Sequence, residues 1–340
     1  MVNEKRSGRK QIPSTPGSSG STGSQAFDTR PYLPNSIAVP AVIPSGSLNL
    51  DFALGIGGIP RSHITEIYGS VSTGKSTLCQ HILAEAQKSG GVCAYIDADH
   101  ALDPIYAARC GIDVDRLYIC EPETAEEALE VAETLARSGS VEAIVIDSMT
   151  ALLPRSELRG NLGDPSIQER VRLISQALYK LNNACRQSGA ALILTNQLRH
   201  RFGKLYQSAA TSTADLALKL HACVRLELKA IRLLRLQGEA YGIHVRARVV
   251  KNKLTLSAHT AELDILYNEG IYKIGDIFDM ALQLKIIIKQ GSHYTYQSLE
   301  MGESRVNVIN YLSHSPLLSE ALERAARQKL LPSAPHLVEH

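Results

Sequence analysis

A glycine-rich turn between an apolar segment and a helical segment is the feature that most limits what this chain can fold into. The turn reads Gly69-Ser-Val-Ser-Thr-Gly-Lys-Ser76 and fits the pattern GxxxxGK[ST]. Apolar Ile64–Tyr68 precedes it as a candidate strand, and Thr77–Gln87 follows it as a candidate helix. In this context the pattern is typical of a P-loop, which holds nucleotide phosphates with backbone N–H groups and a helix N-terminus. We therefore expect an α/β nucleotide-binding fold.

Each residue type in this turn has a chemical reason. Glycine lets the backbone approach phosphate closely, Lys75 reaches the β- and γ-phosphates, and the Ser76 hydroxyl binds Mg²⁺. The alternative is a glycine-rich turn that carries a lysine by chance. The residues expected to contact the nucleotide are Gly69, Ser70, Val71, Ser72, Thr73, Gly74, Lys75, Ser76 and Thr77.

Short apolar runs alternate with helical runs from about residue 45 onward. Candidate strands without period-2 polarity are Ile64–Tyr68, Val92–Asp97, Ala143–Asp147 and Ala191–Thr195. Continuous apolar strands separated by helices indicate a mostly parallel sheet that helices cover on both faces. Asp147 ends one of these strands, and downstream of a P-loop such a carboxylate is expected to hold Mg²⁺ through water. Taken alone this signal is weak, because many strands end in aspartate.

Helix ends and later strands complete the expected organisation. A capping box at Thr124-Ala-Glu-Glu127 predicts a helix that ends at Gly139. Alternating strands follow Leu220 and are expected to be antiparallel, namely Val224–Leu228, Val245–Val250 and Ala261–Leu266. Helices return after Gly270 around a short strand at Tyr294–Tyr296, and Ser315-Pro316 predicts the start of a helix through Leu330.

Four parts are expected along the chain. Residues 1–40 form a flexible tail rich in Gly, Ser and Pro, because Ser14–Ser24 has no apolar side chain to bury. A basic arm on DNA is the alternative for this tail. An ATPase core is expected over residues 41–269, a small C-terminal domain over 270–331, and a second tail over 332–340.

Composition excludes several classes of protein. The net charge of +2 is too small to indicate nucleic-acid binding by bulk charge, so a DNA role would need local basic patches. Six cysteines occur without a CxxC pair, which argues against a zinc site and a disulfide scaffold. No apolar stretch approaches about 18 residues and no signal core is present. We expect a cytoplasmic protein without membrane partners.

Several further segments make the chain resemble the RecA family of bacterial recombinases, from about Pro44 to Leu330. They are Gly46–Asp51, Gly57–Pro60, Glu66–Gly69, Ile96–Tyr106, Asn196-Gln197 and Val250–Lys253. The resemblance implies a RecA-like P-loop NTPase core with a mostly parallel central sheet flanked by helices, plus a small α/β C-terminal domain. It implies ATP and Mg²⁺ as cofactors, self-association or association with another recombinase, and single- and double-stranded DNA as partners. Homologous recombination, DNA repair and an SOS-type damage response are the implied functions.

Matching positions carry roles at the nucleotide. The resemblance implies that Tyr106 stacks on adenine and that Asp103 contacts its exocyclic amine. Asp99 stands where the family has a glutamate that orients the attacking water. From the residues alone, Tyr106 could be an ordinary helix residue and Asp99 an ordinary strand-end carboxylate.

Three other matching positions would sense or neutralise the γ-phosphate. Gln197 matches the family's γ-phosphate sensor. Lys251 and Lys253 match residues that reach the neighbouring subunit's ATP, as an arginine finger does. Without the resemblance, the two lysines would be solvated strand charges.

The resemblance also implies a DNA surface. Glu157–Asp164 matches the first DNA loop with Arg172 behind it, and Arg199–Thr213 matches the second. Cations with interleaved aromatics suit phosphate contact and base stacking, although a solvated loop is the alternative. In the second loop these residues are Arg199, Arg201, Phe202, Lys204 and Tyr206. A duplex-binding surface is implied at Lys229, Arg246 and Arg248.

Departures from the family pattern leave alternative functions open. The catalytic glutamate is shortened to Asp99, and Asp215 replaces a glycine after the second loop. Leu220 and His221 replace two aromatic residues. The family's N-terminal oligomerisation helix is not recognisable. A DNA-dependent ATPase of recombination, with turnover weakened, is our expectation. An ATP-binding accessory protein that modulates another recombinase is the alternative, and a P-loop ATPase with another target is a third.

Overall fold

A computed structural model describes residues 41–159, 167–198, 213–255 and 259–330. All of them belong to the compact unit Val39–His340. The tails expected at 1–40 and 332–340 lie outside the described residues. The expected boundary between core and C-terminal domain, at 269/270, stays a prediction.

The described ranges contain fourteen strands, ten α-helices and one 3₁₀ turn at Val114–Arg116. The strands are β1 Val42–Ile43, β2 Ile59–Pro60, β3 Ile64–Gly69, β4 Cys93–Asp97, β5 Leu117–Cys120, β6 Ala143–Asp147, β7 Ala191–Gln197, β8 Val224–Leu236, β9 Glu239–Asn252, β10 Thr260–Leu266, β11 Gly270–Ile271, β12 Ile288–Gln290, β13 His293–Tyr296 and β14 Leu299–Gly302. The helices are α1 Leu48–Leu54, α2 Lys75–Lys88, α3 Pro104–Arg109, α4 Ala125–Ser138, α5 Arg155–Arg159, α6 Ile167–Ser188, α7 Thr213–His221, α8 Lys273–Gln283, α9 Arg305–Ser313 and α10 Pro316–Leu330.

A nine-stranded mixed sheet forms the centre of the fold, in the order β11-β10-β9-β8-β3-β7-β6-β4-β5. The strands from β8 to β5 are parallel to one another, and those from β8 to β11 are antiparallel. This confirms the predicted mostly parallel sheet and the predicted switch to antiparallel strands. The strand that leads into the P-loop, β3, is the fifth of the nine.

The buried side chains of this sheet divide between its two faces, because successive residues of a strand point to opposite sides. Tyr95 and Val145 belong to one cluster with α1, α2 and α3. Ile96 and Ile146 belong to the other with α4, α6 and α7. Helices on both faces explain why the parallel strands are apolar throughout rather than alternating.

Two antiparallel strands are much longer than their sequences predicted. β8 and β9 have 13 and 14 residues, against the predicted Val224–Leu228 and Val245–Val250. Beyond Leu228 the two strands form a hairpin whose residues are mostly exposed, and the ladder register shifts there at two places. The outer part of β8 and the first three residues of β9 have no buried face, so no period-2 apolar pattern reveals them.

The C-terminal part is a small α/β unit, as predicted, built from α8, α9, α10 and the antiparallel sheet β12-β13-β14. Its apolar core contains Phe278 and Tyr294, and also Leu48 of α1. A buried polar cluster joins it to the start of the core. Asp276 accepts hydrogen bonds from Ser47 Oγ at 2.9 Å and from the Leu48 N–H at 2.5 Å.

Among the helices of the described ranges, none is both long and apolar enough to cross a bilayer.

Candidate active site

The P-loop lies at the C-terminal end of β3, between the C-terminal end of β7 and strand β8. β3 pairs in parallel with β7, and Gly69 is the partner of Gln197 in the ladder. The Leu198 N–H also donates to the Gly69 carbonyl at 3.0 Å. Because the carboxyl ends of parallel strands meet at one edge of a sheet, ligands bind there. The fold thus brings Gln197 beside the P-loop, although the two are far apart in sequence.

Two glycines of the P-loop are required by geometry. Gly74 has a φ of +83°, in the left-handed region that favours glycine. A Cβ on Gly69 would collide with the carbonyl oxygen of Leu228 on the neighbouring strand. Both positions therefore need glycine for the turn to form.

The N-terminus of α2 is arranged to receive an anion. Gly74 is the N-cap residue and provides no side-chain cap, so the first N–H groups of the helix remain available to phosphate. Lys75 Nζ donates to the Ser70 carbonyl at 2.8 Å. Burial lowers the pKa of Lys75, while the carboxylates of Asp147 and Asp99 oppose this shift. The positive charge of Lys75 therefore lies inside the turn, at the place where the phosphates of a bound nucleotide would displace water.

Asp147 ends β6, the expected Walker B strand, and its carboxylate is held by two hydroxyl groups. Tyr95 Oη donates to one carboxylate oxygen at 2.6 Å, and Thr195 Oγ1 donates to the other. Burial and the nearby Asp147 carboxylate raise the pKa of Tyr95, so the phenol remains a donor. A carboxylate has about four acceptor positions, so lone pairs remain for water on a cation. The carboxylate of Asp147 therefore fits the expected role of holding Mg²⁺ through water.

A cleft of about 440 Å³ lies beside the P-loop and contains both residues expected at the adenine base. Asp103 is the N-cap of α3 and accepts the Ile105 N–H at 2.8 Å with one of its two oxygens. Tyr106 Oη and Thr77 Oγ1 are 3.1 Å apart, so Tyr106 faces the first turn of α2. This volume lies within the range of ligand pockets.

Part of this cleft was missed by the sequence reasoning. The additional lining residues are Arg109, Ile243, Ile265, Tyr267 and Asn268. Four of these come from β9, β10 and the turn after β10, which reach the cleft only through the antiparallel part of the sheet. No local pattern marks them. A Cβ on Gly74 would also collide with Ile265.

Asp99 lies exposed in the turn after β4, on the same edge of the sheet as Asp147. The N–H groups of Ala98 and Asp99 both point to the Asp147 carbonyl, at 2.8 and 3.3 Å. These bonds fix the backbone of Asp99 beside the expected metal site. An exposed carboxylate at this position can accept a proton from water.

Lys251 and Lys253 contact the C-terminal end of α7 in the same chain. Lys251 Nζ donates to the Lys219 carbonyl, and Lys253 Nζ donates to the Leu220 carbonyl at 3.2 Å. Burial, followed by the Lys253 charge, lowers the pKa of Lys251. Each ammonium has three donors, so both lysines retain donors for a further partner.

The expected DNA residues are only partly described. Arg199, Arg201, Lys204 and Tyr206 lie outside the described residues. Arg172 is exposed on α6, and Lys229 is exposed on β8. By contrast, Arg246 forms an ion pair with Glu262 at 2.8 Å, and Arg248 with Glu227 at 2.6 Å. Two of the three cations expected at the duplex surface therefore already have carboxylate partners.

Comparison with known proteins gives matches over most of the chain. The model of the RecA N-terminal domain matches residues 35–272, and that of the RecA C-terminal domain matches residues 275–331. The chain is 48% identical over 294 residues to Protein RecA of Chloroflexus aggregans, covering 86% of this chain and 84% of that protein. It is 47% identical over 289 residues to Protein RecA of Chloroflexus aurantiacus, covering 85% and 82%. For Protein RecA of Rickettsia bellii the identity is 45% over 287 residues, covering 84% of each.

Proposed function

Because this chain belongs to the RecA family of recombination and repair proteins, we propose that it binds ATP with Mg²⁺, hydrolyses it in response to single-stranded DNA, and promotes strand exchange. The observation that carries the proposal is the P-loop on the central strand β3, with Asp147 and Gln197 on the same sheet edge. Self-association on DNA and a role in the damage response are parts of the same proposal.

In this proposal, different described residues have different roles at the nucleotide. The N-terminus of α2 and Lys75 would bind the phosphates, while Tyr106 and Asp103 would hold the base. Mg²⁺ held by Ser76 and Asp147 would supply charge neutralisation at the transferred phosphoryl group. Asp99 would accept a proton from the attacking water, and Gln197 would contact the γ-phosphate. Lys251 and Lys253 would add positive charge at a neighbouring subunit's nucleotide.

The DNA part of the proposal rests on fewer residues. Single-stranded DNA would be bound by Arg172 and by the second loop, through Arg199, Arg201, Lys204 and Tyr206. With a net charge of +2, affinity must come from these local contacts. Lys229 remains the exposed candidate for duplex, since Arg246 and Arg248 would first have to leave their glutamates.

The accessory-protein alternative predicts ATP binding without efficient turnover. Each relative reported above is named Protein RecA, and nothing among them favours this alternative. Its distinguishing feature would be a rate of ATP hydrolysis that does not respond to single-stranded DNA.

The direct test is ATP hydrolysis by the full chain with and without single-stranded DNA. We expect DNA to raise the rate. Lys75→Ala removes the cation inside the turn, so it should lower the affinity for a fluorescent ATP analogue by at least tenfold, while circular dichroism shows a folded protein. A folded Lys75→Ala variant with wild-type affinity would contradict the assigned site. A wild-type rate of ATP hydrolysis that does not change when single-stranded DNA is added would support the accessory-protein alternative.

A further inference from the structure

A series of hydrogen bonds connects helix α6 to Gln197 through the hydroxyl of Thr150. Arg170 Nη2 donates to the carbonyl oxygens of Met149 and Thr150, at 3.2 and 3.0 Å. Thr150 Oγ1 donates to Asn196 Oδ1 at 3.0 Å and accepts the Gln197 N–H at 3.0 Å. We name these three residues, Arg170, Thr150 and Gln197, the α6 bridge. One hydroxyl thus fixes the backbone of the expected γ-phosphate sensor.

The far side of this bridge is anchored in the sheet. Asn196 Nδ2 donates to Glu66 Oε1 at 3.2 Å, and Glu66 forms a buried ion pair with Arg225 of the neighbouring strand. The Arg225 guanidinium also lies 4.6 Å above the ring of Tyr68. Because Glu66 is fully buried, this anchor cannot shift without breaking a desolvated pair. The Thr150 hydroxyl therefore faces a rigid partner on one side and Gln197 on the other.

The bridge joins the chain segments that border both expected DNA loops. Arg170 is in the first turn of α6, directly after residues 160–166, which contain part of the first loop. Gln197 is the last residue of β7, two positions before the second loop begins. Thr150 lies between the Walker B strand β6 and α5. A displacement of α6 by DNA would thus be transmitted to the segment that holds the sensor.

Arg170 holds its position at an energetic cost. Its Nε atom is buried and has no hydrogen-bond partner within the described ranges. A buried unsatisfied donor is unfavourable. In addition, a cation in the first turn of a helix meets the positive end of the helix dipole. The buried Nε would regain water if Arg170 extended into solvent, so the contacts with the Met149 and Thr150 carbonyls outweigh that cost.

We propose that Arg170 and Thr150 are positioning residues that couple single-stranded DNA at α6 to the contact between Gln197 and the γ-phosphate. This inference rests on the proposed function, because it requires ATP and DNA to bind one protein. What it adds is the identity of two side chains, Arg170 and Thr150, that carry the connection between the two sites in this chain. The coupling is reciprocal, so ATP should also tighten DNA binding through the same three residues.

The test measures the affinity of the full chain for a labelled single-stranded oligonucleotide, once with a slowly hydrolysed ATP analogue and once with ADP. The ratio of the two affinities is the coupling. Thr150→Val keeps the shape of the side chain and removes both hydrogen bonds, so the ratio should fall by about fivefold. The affinity for ADP itself should change less than twofold, because ADP has no γ-phosphate for Gln197 to contact.

Three further variants separate positioning from general stability. Thr150→Ser restores the hydroxyl and should bring the ratio back to within about twofold of wild type. Arg170→Met should lower the ratio as Thr150→Val does, and the double variant should lose no more than the larger single effect. Thr134→Val is the matched control, because this exposed hydroxyl on α4 donates to the Glu130 carbonyl of its own helix and lies outside the α6 bridge, so the ratio should stay unchanged.

Each result decides between the inferences. A folded Thr150→Val variant with a wild-type ratio would overturn the bridge and leave the proposed function intact. An equal loss in Thr150→Ser would also overturn it, since the hydroxyl would then be irrelevant. If Thr150→Val does not fold, the test rests on Arg170→Met. A wild-type ratio in that variant would then contradict the α6 bridge. If the wild-type chain binds the oligonucleotide equally well with the ATP analogue and with ADP, the result would contradict the proposed function as well.

Discussion

At the scale of single residues, the charges around Lys75 are balanced by carboxylates that come from different strands. Asp147 ends β6, and Asp99 follows β4, yet both act on the pKa of Lys75. Burial removes water from the ammonium, and the two carboxylates partly restore its preference for the charged form. Binding at such a site is therefore most favourable for an anion with several negative charges, because the anion takes the place of the water that the ammonium has lost.

Asp99→Glu should increase the rate of DNA-stimulated ATP hydrolysis. Glutamate extends the carboxylate by about 1.5 Å, and a displacement of that order can change a rate by about 10²-fold. Steady-state kinetics should show the increase in kcat, with little change in the affinity for the ATP analogue.

Asp99→Asn is the matching control for Asp99→Glu and should lower kcat, because an amide cannot accept the proton of the attacking water. A slower Asp99→Glu enzyme would instead mean that the pocket is shaped around aspartate.

Residue roles could be predicted only where a local motif carries them. The P-loop pattern identifies Lys75 and Ser76 from eight consecutive letters. By contrast, Tyr95 and Thr195 hold Asp147 from two other strands, and Tyr267 lines the base cleft from a turn after β10. Their positions depend on strand order, which short-range periodicity does not encode. Thr150 was missed for the same reason.

At the scale of elements, the capping box before α4 is confirmed by its contacts. Thr124 Oγ1 accepts the Glu127 N–H at 3.2 Å, and Gly139 ends the helix with a φ of +69°. The carboxylate of Glu127 turns back to the Glu123 N–H at 3.0 Å, one residue before the N-cap itself. Helix boundaries were predictable here because the signals are local.

Thr124→Ala should lower the free energy of unfolding by about 1 kcal/mol, the usual cost of removing an N-cap side chain. Chemical denaturation with an unchanged m-value would measure this loss. Thr134→Ala in the same helix serves as control and should not destabilise, because alanine has the higher helix propensity. Equal losses in the two variants would contradict the capping interpretation.

The hairpin of β8 and β9 shows where prediction from sequence fails at this scale. Its outer half exposes Ile231, Leu233 and Leu236 without covering them in the described chain. The spacing of apolar residues in a sequence indicates which side chains are buried, but not which backbone groups form hydrogen bonds. A strand pair that projects from the sheet therefore produces no regular signal, and its length depends on the backbone ladder alone.

At the scale of the whole molecule, His81 joins the P-loop helix to the entry of the C-terminal unit. Its Nε2 atom accepts the Ile271 N–H at 2.8 Å, so the proton of the neutral ring is on Nδ1. Burial, followed by the Lys273 charge, lowers the pKa of His81 to about 3. The folded state therefore requires the neutral imidazole.

The pH dependence of stability should reveal this histidine. A group whose pKa is lowered by folding contributes stability above its unfolded value of 6.5, and this is lost as the pH falls toward 3. Burial raises the pKa of Asp51 and Asp276 to about 6, so these carboxyls act in the opposite direction and become more favourable on acidification. The two effects partly cancel in the wild type.

Comparison with His81→Gln isolates the histidine, because glutamine can still accept the Ile271 N–H. Between pH 7 and pH 5 the wild type should lose on the order of 2 kcal/mol relative to this variant. Urea denaturation of both proteins at several pH values gives the difference. A difference that does not depend on pH would contradict a buried neutral histidine.

The central place of β3 has a consequence for amide hydrogen exchange. β3 is fully buried and pairs with β7 on one side and β8 on the other, so its N–H groups should exchange only when the whole domain unfolds. The hairpin beyond Leu228 should exchange through local opening. A nucleotide at 100 times its Kd stabilises the folded state by about 2.7 kcal/mol. It should therefore slow exchange in β3 by about a hundredfold while the hairpin amides keep their rates, so that exchange at β3 measures nucleotide binding without a label on the ligand.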